Sequence, residues 1–152
     1  MELEIIIPGK ISKHLFDSYN FYVDKIKRFS KIKVNFVKLG GDLNKLPKSV
    51  VLKREAEEIL KKLKGNDYVL IDLHGKMLNS IEFSKMLENY RLKGKIHFVI
   101  GGPLGIDEKI VNGALERISL SQLTFTHELA LIILLEQIFR GFKIMNNENY
   151  HY

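Results

Sequence analysis

The chain has 152 residues, room for one domain with a proper core, and no cysteine, which excludes disulfides, thiolate catalysis and cysteine-ligated metals. Its longest apolar run, Leu129 to Leu135, falls far short of the roughly 20 residues of a membrane span. Met1 leads into Glu2-Leu3-Glu4 without the pattern of a signal peptide, so a soluble cytoplasmic protein is expected. The net charge of +6 is uneven: residues 1–65 hold 15 Lys/Arg against 8 Asp/Glu, and residues 66–152 hold 9 against 10. The excess gathers at Lys25, Lys27, Arg28, Lys31 and Lys33 and again at Lys61, Lys62 and Lys64, which suits either a polyanionic partner such as nucleic acid or a lysine-rich solvated face.

Taken in order, Leu3 to Pro8 is a β-branched apolar run closed by Pro8-Gly9, and it reads as a buried first strand. Ser12 is placed to cap a helix carrying Leu15, Phe16, Tyr19, Tyr22, Val23, Ile26 and Phe29 at three-to-four spacing. Ile32 to Leu39 alternates apolar residues with lysines and asparagine, the pattern of a strand wet on one face near a sheet edge. After a loop from Gly40 to Pro47, a helix runs from about Ser49 to Lys64 and stops at Gly65-Asn66. Asp67 to Leu73 is the third strand, ending in a loop at His74-Gly75-Lys76. Asn79 and Glu82 form a capping box for a helix through Leu92, closed by Gly94.

The central stretch follows. Ile96 to Ile100 is an apolar strand that empties into Gly101-Gly102-Pro103-Leu104-Gly105, a loop where backbone must approach something closely. Asp107 caps a short helix, a fifth strand spans Arg117 to Leu120, and Ser121 to Phe125 is a polar loop. Thr126 caps a last helix, apolar on every side from Leu129 to Leu135. Strands and helices in strict alternation predict a mostly parallel sheet with helices on both faces, in a single domain over residues 1–152. In such sheets ligands bind beyond the carboxyl ends of adjacent strands. A helix apolar all round in so small a domain predicts a homodimer that buries its second face.

The glycine loop lacks dinucleotide spacing, and Gly75-Lys76 lacks the first glycine and the hydroxyl residue of a P-loop. The histidines, His14, His74, His97, His127 and His151, never pair at three or four residues, so no metal site is expected. His97, inside an apolar strand, reads as a core residue. His127, at a helix start beside the expected pocket, is the candidate functional histidine, and His74 is second. The tail from Asn146 to Tyr152 sets two tyrosines around His151 with nothing after; it is either a frayed terminus or a stacking surface with a proton acceptor offered to a partner.

Several pieces together carry a resemblance: Phe98-Val99-Ile100-Gly101-Gly102-Pro103-x-Gly105, Ser119-Leu120-Ser121-x-Leu123-Thr124-Phe125-x-His127, Glu136-Gln137-Ile138-Phe139-Arg140 and the terminal Tyr150-His151. With Gly9-Lys10 and Asp72-Leu73-x-Gly75-Lys76 they extend over essentially the whole chain, which resembles the RlmH family of SPOUT-class rRNA methyltransferases. The resemblance implies a five-to-six-stranded α/β sheet with a C-terminal trefoil knot, S-adenosylmethionine as cofactor and a homodimer acting on the ribosome. No pattern argument predicts a knot, since knots are nearly absent from proteins. It implies cofactor contacts at Ile71, Gly101, Leu120, Ser121, Gln122, Leu123, Thr124 and Phe125, and a tail, Tyr150 and His151, brought from the partner subunit. The chain departs from the family's pattern at Thr126, where a proline is usual, and at Leu131 and Tyr152, where basic residues are usual.

The expected reaction is methyl transfer to N3 of the 23S rRNA pseudouridine at position 1915 in helix 69 of the assembled ribosome. N3–H is weakly acidic, comparable with tyrosine at roughly 10, so the site needs close placement of the methyl group and a proton acceptor. His127 or the partner's His151 is the candidate acceptor, with Tyr150 positioning the base. The alternative is a non-enzymatic RNA-binding or ribosome-associated α/β module whose glycine loops are only tight turns.

Overall fold

Every strand pairing in the sheet is parallel. In a computed structural model describing residues 1–152, β1 (Glu2–Pro8), β2 (Lys31–Val37), β3 (Val69–Met77), β4 (Lys95–Ile100) and β5 (Glu116–Ser119) form one sheet in the order β2-β1-β4-β3-β5. Five helices connect and follow them: α1 (Phe16–Ile26), α2 (Lys48–Leu63), α3 (Ser80–Lys93), α4 (Glu108–Gly113) and α5 (His127–Met145).

The apolar runs of β1 and β4 are continuous because both faces of these strands are covered. Leu3, Ile5 and Ile7 with Ile96, Phe98 and Ile100 enter one core beneath α1, α3 and α5. Ile6 and Val99, pointing the other way, join Leu70 and the residues Ala56, Ile59, Leu63 and Ile110 of α2 and α4. Each such fully buried aliphatic side chain contributes about 1.5–3 kcal/mol relative to leaving it exposed. β2 lies at one edge with Lys31 and Lys33 exposed, as its alternating pattern predicts. His97 is 8% exposed, with Nε2 3.2 Å from the Glu4 carboxylate, a satisfied core residue.

Asn79 and Glu82 make the reciprocal capping box at the start of α3, each bond 2.8 Å, and Gly94 closes the helix in the left-handed region. Two local expectations fail. A single 3-10 turn, Lys13–Leu15, precedes α1, and Ser12 caps nothing with its side chain: the hydroxyl donates to Glu128 Oε2 at 2.8 Å. The bond to the carboxylate is charge-assisted and sets the direction in which the hydroxyl points.

The stretch His74-Gly75-Lys76 is also not a free loop. Ile71 pairs with Ile118, and Lys76 pairs with Ile118 again, so four extra residues bulge out of β3 before the strand resumes. A Cβ on Gly75 would lie 2.6 Å from the Ile118 amide nitrogen, so only glycine lets the strand return.

α5 packs against α1 and α3. Leu131, Leu134, Leu135 and Ile138 are fully buried, whereas Leu129 is 41% exposed and Ile132 and Ile133 are only partly covered. One chain does not hide the whole apolar girth of this helix. No helix is long and apolar enough to cross a membrane.

Candidate active site

Because all five strands run the same way, their carboxyl ends share one edge, and a cavity of about 300 Å³ opens there. Three walls form it. The β3 bulge supplies Ile71, Asp72, Leu73 and His74; the loop after β4 supplies Gly101, Gly102, Gly105 and Ile106; the segment after β5 supplies Ser119 to Ser121, Leu123 to Phe125 and His127.

The glycine loop closes on itself. Gly102 and Gly105 exchange amide-to-carbonyl bonds of 3.1 Å each, and a Cβ on Gly101 would sit 2.9 Å from the Gly105 carbonyl oxygen. The close approach predicted from the sequence is therefore first of all the loop's own return. Its backbone still faces the cavity.

The β5 loop is held by hydroxyls, as Ser119 Oγ donates to the Ser121 carbonyl (2.8 Å) and the Leu123 amide donates to Ser121 Oγ (3.0 Å). Leu123 is 73% exposed and Phe125 38%, leaving an apolar rim. Thr126 then caps α5, accepting from the Leu129 amide at 3.3 Å. The hydroxyl thus fills the role of first-turn acceptor.

His127 is half-buried at the start of α5, beside the end of β1: a Cβ on Gly9 would lie 3.1 Å from its Nε2. Burial lowers its affinity for a proton, and the carboxylates of Glu128 and Glu55 pull the other way without overcoming it. The imidazole is therefore neutral near pH 7 and able to accept a proton. Glu128 accepts from both the amide and the hydroxyl of Ser12. Burial pushes its carboxyl up, but those bonds, with the charges of His127 and His14, hold it below the usual carboxylate range.

Of the residues singled out from the sequence, Ile71, Gly101, Leu120, Ser121, Leu123, Thr124, Phe125 and His127 line the cavity, and so does His74. Gln122 lies outside that lining, and Tyr150 and His151 are at the far end of α5. There the Tyr150 hydroxyl donates to Glu136 (3.1 Å), its ring meets Phe139 edge-on at 4.9 Å, and the Arg140 guanidinium lies 4.7 Å from its ring centre. His151 Nδ1 is 3.2 Å from Arg140. Sequence reasoning named Asp72 only within the stretch Asp72-Leu73-x-Gly75-Lys76, without a role, and passed over Glu55; the structure folds Asp72 into the wall by an ion pair to Arg117 (3.2 Å) and brings Glu55 to the strand ends from α2. Glu55 carried no spacing that could have marked it.

The profile described as predicted SPOUT methyltransferase matches residues 1–151. The chain belongs to the SPOUT methyltransferase family. Within that family it is 61% identical over 152 residues to Ribosomal RNA large subunit methyltransferase H of Thermosipho melanesiensis, each chain covered in full. It is 43% identical over 154 residues to the protein of the same name from Pseudothermotoga lettingae, again with full coverage of both. A solved structure of a probable methylase family protein from Haemophilus influenzae superposes with a TM-score of 0.56 at 12% identity, over 99% of this chain and 70% of that one, a likeness of fold. The SPOUT chain described here is thus an rRNA methyltransferase by family, with its glycine loop, hydroxyl loop and His127 at one sheet edge.

Proposed function

We propose that the protein transfers a methyl group from S-adenosylmethionine to N3 of a pseudouridine in helix 69 of 23S rRNA, acting as a homodimer on the ribosome. The observation that carries this reading is the cavity of about 300 Å³ at the carboxyl edge, walled by three strand-end loops and touched by His127. Its volume is at the lower end of the range of small-molecule sites, about 300–1,000 Å³, and its chemistry suits a nucleoside-bearing cofactor. Ile71, Ile100, Ile106 and Leu120 offer apolar contact for a base, while the turns around Gly101 and Ser121 to Thr124 bring backbone polar groups to the wall.

In this reading Ile71, Gly101 and the segment Leu120 to Phe125 hold the cofactor, which when bound supplies an electrophilic methyl group. The chain's own residues do the rest. The loops fix the direction of approach, the apolar rim at Leu123 and Phe125 limits water, and neutral His127 is the candidate acceptor of the N3 proton. The role of Tyr150 and His151 is supported by their distance from their own site. They dock near Glu136 and Arg140, and the nine helical steps from His127 to Glu136 span roughly 14 Å. A tail bound there, on a helix whose outer apolar face is incompletely covered, is suited to serve a neighbouring subunit's cavity. The C-terminal knot, read from family membership, belongs to the same proposal.

Calorimetry with S-adenosylmethionine, followed by methylation of ribosomes lacking the modification and mass spectrometry of the helix 69 fragment, tests the proposal. Stoichiometric cofactor binding and a methyl group on the pseudouridine are expected. RNA binding without cofactor binding would favour the non-enzymatic module instead.

A further inference from the structure

One buried side-chain oxygen in the protein accepts no hydrogen bond, and it belongs to Glu55. This residue lies in the second turn of α2 and is 3% exposed. Its Oε2 accepts from the Gly40 amide at 2.9 Å, which anchors the carboxylate, while Oε1 is left bare. Arg54, its sequence neighbour, turns instead to the Gly40 carbonyl at 3.4 Å. Native proteins satisfy almost all buried polar groups, so a bare carboxylate oxygen calls for a reason.

Its surroundings supply one. A Cβ on Gly102 would sit 2.9 Å from Oε1 and 3.1 Å from Pro8 Cβ, so the oxygen points at the glycine loop and the end of β1. The narrow void around it is shared with Gly105 and Ile106, which also line the proposed cofactor cavity. His127 stands at the same turn, its Nε2 3.1 Å from where a Gly9 Cβ would be. The carboxylate and the imidazole therefore flank Pro8-Gly9.

Two carboxylates act on His127, Glu128 first and Glu55 second, and they differ in how their oxygens are partnered. Glu128, next to it on α5, is held by Ser12 and feels His14. On the far wall Asp72 is paired with Arg117. His74, beside it, bears no negative charge. Glu55 alone presents an unpaired carboxylate oxygen to this corner.

On the reading of the cavity as the methyl-transfer site, we propose that Glu55 is a positioning residue for His127: a fixed negative charge that stabilises the imidazole once it has taken the substrate's proton. The balance of the step makes the need plain. The N3–H bond breaks, its electron pair forms the bond to the methyl carbon, the C–S pair returns to sulfur, and the proton passes to His127. One positive charge disappears at sulfur and one appears on the imidazole, where burial disfavours it. Glu55 touches neither substrate nor cofactor in this scheme. It acts through low-dielectric electrostatics, where a nearby fixed charge is felt strongly.

The test is an NMR titration of His127 in the wild-type protein and in Glu55→Gln, with calorimetry against S-adenosylmethionine and the pH–rate profile of methylation. The expected result is a His127 midpoint lower by about 0.5–1 unit, an acidic limb of kcat displaced in the same direction, and cofactor affinity unchanged within about twofold. Glu55→Asp, which keeps the charge but withdraws it, should lower the midpoint by less. An unmoved midpoint in folded Glu55→Gln overturns the proposal, as does a tenfold loss of cofactor affinity with the midpoint unmoved, which would assign the carboxylate to the cofactor. Should Glu55→Gln fail to fold, the Asp variant decides alone: a lowered midpoint supports the proposal and an unmoved one overturns it. The titration needs no turnover. Absence of methyl transfer by the wild type would sink the reading of the site while leaving the Glu55–His127 coupling measurable.

Discussion

The Glu128 carboxylate receives both the amide and the hydroxyl of Ser12, residues 116 positions apart in the chain. This clamp fastens the connection after β1 to the first turn of α5, and thereby fixes the residue between cap and clamp, His127. The cavity's one half-buried histidine thus owes its place to a bond between the chain's two ends.

Breaking the clamp should cost stability in a pH-dependent way. Ser12→Ala removes the hydroxyl's bond to the carboxylate, and Glu128→Gln removes the charge that strengthens both bonds, each change costing about 1–3 kcal/mol. The folded carboxyl titrates below its ordinary value of 4.5. Its contribution is therefore fully present above that value and is lost as pH falls through the lower, folded one. Urea unfolding at pH 7 and at pH 3 should show the gap between wild type and Glu128→Gln narrowing in acid. A gap that stays constant would mean that the bonds do not depend on ionisation.

Gly101→Ala should loosen the glycine loop itself, because the added Cβ meets the Gly105 carbonyl oxygen at 2.9 Å. The expected outcome is a lower Tm together with cofactor affinity weaker by about tenfold or more. Phe125→Ala, at the half-open rim, should weaken binding with little change in Tm. Calorimetry and thermal unfolding on the pair separate loop integrity from direct contact. Affinity that is intact in both variants would mean the cofactor lies elsewhere.

The apolar outer face of α5 predicts a dimer, and burial says where to test it. Leu131 is 0% exposed within one chain, so Leu131→Lys should unfold the protein. Leu129→Lys and Ile133→Lys, at exposed and partly covered positions, should leave the chain folded and dissociate it. Sedimentation should give about twice the 17.6 kDa chain mass for wild type and the chain mass for these variants. A wild type that stays at the chain mass at micromolar concentration would rule the dimer out.

The tail is expected to work in trans. Deleting Tyr150 to Tyr152 should abolish methylation and leave cofactor affinity nearly intact. His127→Ala should do the same from the other side of the site. In heterodimers of the two, one intact cavity meets one intact tail and activity should return. Heterodimers that form and stay inactive would place the tail's role within its own chain.

Methylation should fade in acid as His127 takes up a proton before it can accept one from the substrate. Burial holds this imidazole below its ordinary 6.5, so the acidic limb of kcat should lie below that pH and vanish in His127→Ala. A limb above it would point to another acceptor, the partner subunit's His151 first.

The sequence by itself determined the five strands, the parallel class, the capping box at Asn79 and Glu82 and the edge position of β2, because each rests on periodicity or on hydrogen bonds between near neighbours. It also determined that Ile100-Gly101, Leu120, Ser121, Leu123 to Phe125 and His127 would gather, since parallel strands bring their carboxyl ends to one edge. Only the tertiary structure decided which loops are free and which are tied. Gly75 proved to be the return point of a bulge, Gly101 the contact of a loop with itself, and Ser12 a donor to Glu128 rather than a helix cap. Nothing local distinguishes Glu55 from the other acids of a solvated helix either. Its burial and its bare oxygen arise where α2 crosses the ends of β1, β2 and β4, and the partners in such crossings are set by chain segments tens of residues apart, which no local pattern encodes.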